Sequence, residues 1–170
     1  MIDIVDMQKD EKAIEFARSL GITLASFQKG YAYKVDDKPK NDAQFIVTDS
    51  LNFKTPYAGV RHQFFYKKKS YHHPGVESQV KFKEVKAKDW IVILDVSHLK
   101  EKLAIDRTKL ICRICRKYKI PMAIATFAKH PYELRSPDDL KALGTLCGMD
   151  TQQQKQAILV IERLLKEKHL

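Results

Sequence analysis

The chain of 170 residues carries 31 Lys or Arg against 21 Asp or Glu, a formal net charge of +10, with 44% hydrophobic and 31% charged residues. That length suits one domain, which buries about two thirds of the surface its unfolded form exposes, and it leaves little room for a second. No stretch has the apolar length of a bilayer span, and MIDIVDMQKDEKAIEF lacks the basic start, apolar middle and small-residue cleavage site of a secretory signal, which predicts a cytoplasmic protein.

In chain order, Ile2, Ile4 and Val5 predict a short strand. Ala13, Ile14, Phe16, Ala17 and Leu20 then fall at the spacing of one helix face, and Gly21 is placed to end that helix. ITLASF predicts a second strand and AQFIVTDS a third, on either side of the polar KVDDKPKND, which has no apolar period. The middle, RHQFFYKKKSYHHPGVESQVKFKEV, resists assignment, although QVKFKEV alternates like a half-buried strand. WIVILDV is a continuous β-branched run, as expected of a strand covered on both faces.

Beyond that strand the pattern turns helical. Leu110, Ile111, Ile114, Cys115 and Tyr118 make one apolar stripe, with Lys109, Arg113, Arg116 and Lys117 on the other side. PMAIATFA predicts another buried strand and runs without a pause into AKHPYELRSPDDLKALG. There Ser136 supplies a hydroxyl N-cap, Pro137 takes the first helical position, and Asp138 and Asp139 face the positive end of the helix dipole, so both Asp read as structural. Leu140, Leu143, Leu146 and Cys147 form that helix's apolar face and Gly148 closes it. Asp150 caps a last helix, with Gln153 at the capping-box position and Ala157, Ile158, Ile161, Leu164 and Leu165 facing inward. Arg135 has no comparable local role. It stands beyond the C-terminal end of a buried strand, where α/β folds place their working groups, and its rival role is a salt bridge to Glu133 or Asp139.

Cys112, Cys115 and Cys147 are an odd number, which argues against a disulfide framework and for thiols. Cys112 and Cys115 have C-x-x-C spacing, yet no second pair accompanies them and they sit in a helical pattern, so they read as small core-facing residues one turn apart.

The surplus charge is concentrated. Between residues 54 and 88 nine Lys or Arg face only Glu77 and Glu84, a net of +7. Such an excess suits a polyanionic partner. Arg61, Lys67, Lys68 and Lys69 interleave with Phe64, Phe65, Tyr66 and Tyr71, a mixture able to attract phosphates and stack on unpaired bases; the alternative is a solvated basic hairpin with its aromatics turned inward. The helix face bearing Arg113, Arg116 and Lys117 is a second candidate, with an ordinary solvated face as its rival, and Lys129 and Arg135 are a third. Strand–helix alternation predicts an α/β protein with a parallel sheet. Because an eight-unit barrel takes about 250 residues, an incomplete or irregular barrel is the first reading and an open sheet the second.

IVILDVSHL, the basic-backed helix, YKIPMAIATFAKHPYELRSPDDLKALGTLCGMD and the Gln-rich helix after it resemble the C-terminal half of the thirty-kilodalton protein subunit of archaeal and eukaryotic ribonuclease P, component 3 in archaea. Leu134, Arg135, Pro137, Asp139, Leu140, Leu143, Gly148, Met149 and Asp150 match the family's pattern, over roughly residues 90 to 160. MIDIVDM followed by a helix and LGIT is similar to its opening. The chain departs from the family at Asp138, often basic there, and at Ala125-Thr126-Phe127-Ala128, where Ser-Ser-Gly-Ala is common. Residues 30 to 88 do not show the family's middle strands.

The resemblance implies a TIM-barrel-like fold of the PHP phosphoesterase type, abbreviated here. It implies partnership with the ribonuclease P RNA and with a second protein subunit, component 2, and indirect contact with precursor tRNA. The RNA would use Mg²⁺ to remove the 5′ leader, so no catalytic residue and no cofactor are expected in this chain. RNA-binding candidates are then Arg61, Lys67, Lys68, Lys69, Arg113, Arg116, Lys117, Lys129 and Arg135. The alternative, a metal-dependent phosphoesterase, needs His and Asp ligands at strand ends. The first strand offers Asp3 and Asp6 but no His, leaving His72, His73, His98 or His130 with Asp95 as the possible set.

Overall fold

A computed structural model describes residues 1–7, 11–28, 31–34, 45–48, 58–62, 65, 76–100 and 102–167. Strands β1 (Ile2–Val5), β2 (Thr23–Gln28), β3 (Tyr31–Lys34), β4 (Phe45–Thr48), β5 (Ala58–Arg61), β6 (Ile91–Asp95) and β7 (Met122–Ala125) form one sheet in sequence order. β1 and β2 run parallel, β3 is antiparallel to both its neighbours, and β4 through β7 run parallel. Parallel neighbours need crossovers. Helices α1 (Glu11–Ser19), α2 (Val76–Ala87) and α3 (Lys102–Tyr118) supply those from β1 to β2, β5 to β6 and β6 to β7, and α4 (Pro137–Leu146) and α5 (Thr151–Glu167) follow β7. The architecture is mixed α/β, as the alternation predicts.

The continuous apolar runs are explained by burial on both faces. Ile91, Ile93, Ala123, Ala125 and Phe127 pack in one cluster with Ile4, Ala25 and Val47. The opposite faces of the same strands, at Val92, Leu94, Met122 and Ile124, pack against Phe82, Ile111, Cys115, Leu140 and Ile158 of the helices. The segment that follows β7 also bonds to β1 and to the residue after it. Phe127 donates its N–H to the Ile4 carbonyl and Asp6 donates to the Ala128 carbonyl, both at 2.9 Å.

The segment QVKFKEV is helical and not a strand, lying within α2. Its alternation misleads because only Phe82 and Val85 are buried, one helical turn apart, while Val80 is 58% exposed. Glu84 and Lys88 pair at 3.3 Å across one turn, and Phe82 stacks on Phe65 with centroids 4.0 Å apart. Strands β3 and β5 have only four residues each and leave no clear periodic signal. Two apolar residues assigned inward lie outward: Phe16 is 43% and Leu146 50% exposed. Residues 35–44 and the side chain of Leu165 lie outside what is described.

The helix ends follow the predicted chemistry. Ser136 Oγ accepts the Asp139 N–H at 3.1 Å, and Asp139 Oδ2 accepts from the Ser136 N–H at 3.2 Å and its hydroxyl at 2.8 Å. Asp150 and Gln153 exchange the same pair of bonds at the start of α5, at 2.8 and 3.3 Å. Gly148, at φ +80°, leaves α4 through the left-handed region that glycine enters without a steric penalty. Ser136→Ala, which orphans one end of this reciprocal cap, is expected to lower stability by about 1 kcal/mol in a denaturant titration. An unchanged midpoint would remove the cap from the account.

The three cysteines are free and buried. Burial pushes the Cys112 thiol up to about 12 and Cys147 to about 11, and raises Cys115 well above its ordinary value, so these are inert thiols in the core.

Candidate nucleic-acid interface

Polar side chains gather where β1, β5, β6 and β7 end. Asp95 is the last residue of β6 and is buried; its Oδ1 accepts from the Ser97 N–H at 2.9 Å and the Ser97 hydroxyl at 2.6 Å, capping the short 3-10 turn Val96–His98. Two basic side chains approach its other oxygen, the Arg61 guanidinium and the His98 Nε2, each at 3.9 Å. Arg61 also lies over the Phe127 ring, 5.6 Å from its centroid. Phe127 itself adopts φ +47°, an uncommon conformation for a residue with a side chain. Buried His62 accepts the Asp95 N–H on Nδ1 at 3.1 Å, and burial together with the His98 charge lowers its pKa to about 3, so it stays neutral. Behind this rim Asp3 is fully buried. It accepts from the Thr126 N–H at 2.8 Å and the Thr126 hydroxyl at 2.6 Å.

Among the described residues no three His, Cys, Asp or Glu side chains could hold one metal ion. Of the imidazoles named as possible ligands, His98 stands beside Asp95, while His130 lies elsewhere, stacked on Tyr132; His72 and His73 are outside the described residues.

The six cationic candidates among the described residues divide between two ends of the sheet. Arg113, Arg116 and Lys117 lie near the end of α3, which feeds the start of β7, whereas Arg61, Lys129 and Arg135 sit at or past the strand ends. Lys67, Lys68 and Lys69 lie outside the described residues, as do Phe64, Tyr66 and Tyr71. Phe65, the described aromatic of that group, is buried on Phe82. Arg113 and Lys117 are exposed, with the Lys117 ammonium 5.9 Å from the centre of the Tyr118 ring. Arg116 has a structural task. It bonds the Gly148 carbonyl at 2.9 Å and Gln153 Oε1 at 2.8 Å and pairs with Asp150 at 2.8 Å, locking α3 to the start of α5.

Arg135 makes neither of the salt bridges of its rival reading. Its Nη1 donates to the carbonyls of Tyr132 at 3.0 Å and Leu134 at 2.8 Å, because Glu133 Oε2 is taken by the Lys129 N–H at 2.7 Å and Asp139 by the cap of α4. Arg135 thus pins the turn while it stays exposed, as Lys129 does. The sequence reading passed over Tyr132, which is 73% exposed in this turn. An aromatic placed in a polar connection between a buried strand and a capped helix is the signal that finds it.

No family model matches the sequence, and no curated protein matches it. Among solved structures, the chain is similar to one in the cryo-EM structure of archaeal ribonuclease P with mature tRNA. That similarity has a TM-score of 0.64 at 16% identity and covers 99% of this chain and 91% of the other. At this identity the likeness is one of fold.

Proposed function

We propose that this chain is a protein subunit of ribonuclease P of the component 3 type. In this reading it binds the ribonuclease P RNA and a second protein subunit, component 2, and supports RNA-catalysed removal of the 5′ leader from precursor tRNA without breaking bonds itself. The observation that carries the reading is the fold likeness to a chain of archaeal ribonuclease P, which runs nearly end to end in both proteins. Two independent features support it: the motif from Leu134 to Asp150 occupies the strand-end turn and the cap of α4, and the net charge of +10 suits a folded RNA. The fold is then an abbreviated barrel of the PHP type, the segment after its last strand tied to the first strand and the residue after it by the bonds from Phe127 to Ile4 and from Asp6 to Ala128. A cytoplasmic location fits three free, buried thiols.

The protein acts by lowering the repulsion among RNA phosphates, so adding it with its partner subunit to the cognate RNA is expected to lower the Mg²⁺ concentration needed for precursor-tRNA cleavage. An unchanged Mg²⁺ profile overturns the reading. Replacing Lys67, Lys68 and Lys69 together by Ala is expected to weaken RNA binding and to flatten the log–log salt slope by up to about 0.7 to 0.9 per lost phosphate contact. A slope equal to that of the wild type would move the interface away from this segment.

The rival reading, a metal-dependent phosphoesterase, draws on Asp95 with His72, His73, His98 or His130, and of these His98 adjoins Asp95 just past β6. Asp3 and Asp95 are both bonded to protein donors, and His62 accepts a backbone N–H on one ring nitrogen. Stoichiometric metal in the purified protein, with phosphatase activity in the absence of RNA, would favour this rival.

A further inference from the structure

We infer that the turn after β7 is a stacking platform for an unpaired nucleobase, formed by the parallel rings of His130 and Tyr132 and flanked by Lys129 and Arg135. The inference rests on the RNA-binding reading above and gives it a specific contact. The two rings lie 5.2 Å apart between centroids and only 7° from parallel. Each ring covers one face of the other, which leaves their outer faces as flat apolar planes at the surface, and Tyr132 is 73% exposed. Every base has a matching face, whatever its identity.

A single exposed tyrosine is ordinary. The support beneath this one is not. Pro131 fixes its own φ, the Glu133 N–H bonds the His130 carbonyl at 3.0 Å, and the Lys129 N–H bonds Glu133 Oε2 at 2.7 Å. Arg135 holds the carbonyls of Tyr132 and Leu134, and Leu134 is buried below. The rings therefore stand on a turn that is already ordered, so docking a base carries little further entropy cost. The bond from the Lys129 N–H is also the main reason the Glu133 carboxyl sits below its usual range, which keeps this acid ionised and turned into its own loop. Lys129 and Arg135 are both exposed and lie within three residues of Tyr132 along the chain, so they are the cations assigned to the phosphates of the stacked nucleotide. Duplex RNA keeps its bases stacked internally and offers the rings nothing to cover, so the partner is a loop, bulge or single strand.

The test uses the full chain and two probes: a mixed-sequence single-stranded RNA of about twelve nucleotides carrying 2-aminopurine, and the same sequence as a duplex. Tyr132→Ala is expected to weaken single-strand binding by about 5- to 100-fold, and to abolish the fluorescence quenching that stacking causes. The salt slope should stay unchanged, because a lost stack releases no counterions. Tyr132→Phe should bind like the wild type and Tyr132→Leu like the Ala variant, a contrast that separates a π-face from mere bulk. Lys129→Ala should instead reduce the slope by up to about 0.7. If Tyr132→Ala binds the single strand as the wild type does, or loses duplex binding equally, the platform is wrong and the RNA-binding reading stands. If the wild type binds neither probe, both fall.

Discussion

Replacing Phe82 by Ala is expected to lower the unfolding free energy by about 3 to 5 kcal/mol, whereas Val80→Ala should change it by no more than about 0.5 kcal/mol. Phe82 is fully buried, stacked on Phe65 and enclosed by the cluster that contains Trp90 and Ile111, so truncation leaves a cavity that packed neighbours fill only partly. Against a total stability of about 5 to 15 kcal/mol, this one change takes about a fifth or more. The pair of variants also distinguishes two structures for the segment. On a strand, residues 80 and 82 share a face and both truncations would be costly; on α2 they are separated by about 200° around the axis. Guanidinium titrations that gave comparable losses for the two variants would sink the helical assignment.

The second large effect concerns pH. Burial raises the Asp3 carboxyl from 3.8 to about 6, against the opposing bonds from Thr126. In the unfolded chain this group ionises near its ordinary value, so between about pH 4 and 6 the folded protein holds a proton that the unfolded chain has lost. Its contribution to stability is therefore fully present below about pH 4 and is lost as pH rises through 6, an amount of roughly 3 kcal/mol. Asp3→Asn keeps the shape. The amide oxygen accepts the Thr126 N–H and the amide nitrogen donates to the hydroxyl, with no charge to desolvate. Relative to the wild type, the variant is expected to gain up to roughly 3 kcal/mol of stability between pH 4 and pH 7. Melting both proteins across that range checks it, and a constant difference would show that Asp3 does not titrate in this window.

Much of this architecture is legible in the sequence because its signals are local or sustained. WIVILDV and PMAIATFA carry enough continuous apolar character to declare strands covered on both sides, and Ser136-Pro137-Asp138-Asp139 announces a helix start through bonds between near neighbours. The errors arise where distant contacts decide. QVKFKEV alternates by accident, and the parallel pairing of β5 with β6 requires a crossover that its spacing does not reveal. Arg116 resembles its basic neighbours in sequence, yet Asp150, 34 residues later, ties it to the start of α5. The same holds for Arg135, whose carbonyl partners depend on the shape of a turn, and for Asp3, which nothing in MIDIVDM marks as buried beside Thr126. The stacked rings of His130 and Tyr132 were visible only as letters in a connection.

The bond between Asp3 and Thr126 spans 123 positions of chain. On the ribosome, at about 5 to 20 residues per second, β1 emerges roughly 6 to 25 s before the partner that covers its outer flank. Through that interval the donors and acceptors on the side of β1 away from β2 face the cell unpaired, an invitation to foreign strands. Nascent chains of this protein thus have a defined window in which a chaperone is useful, and it closes only when Thr126, Phe127 and Ala128 clear the exit tunnel.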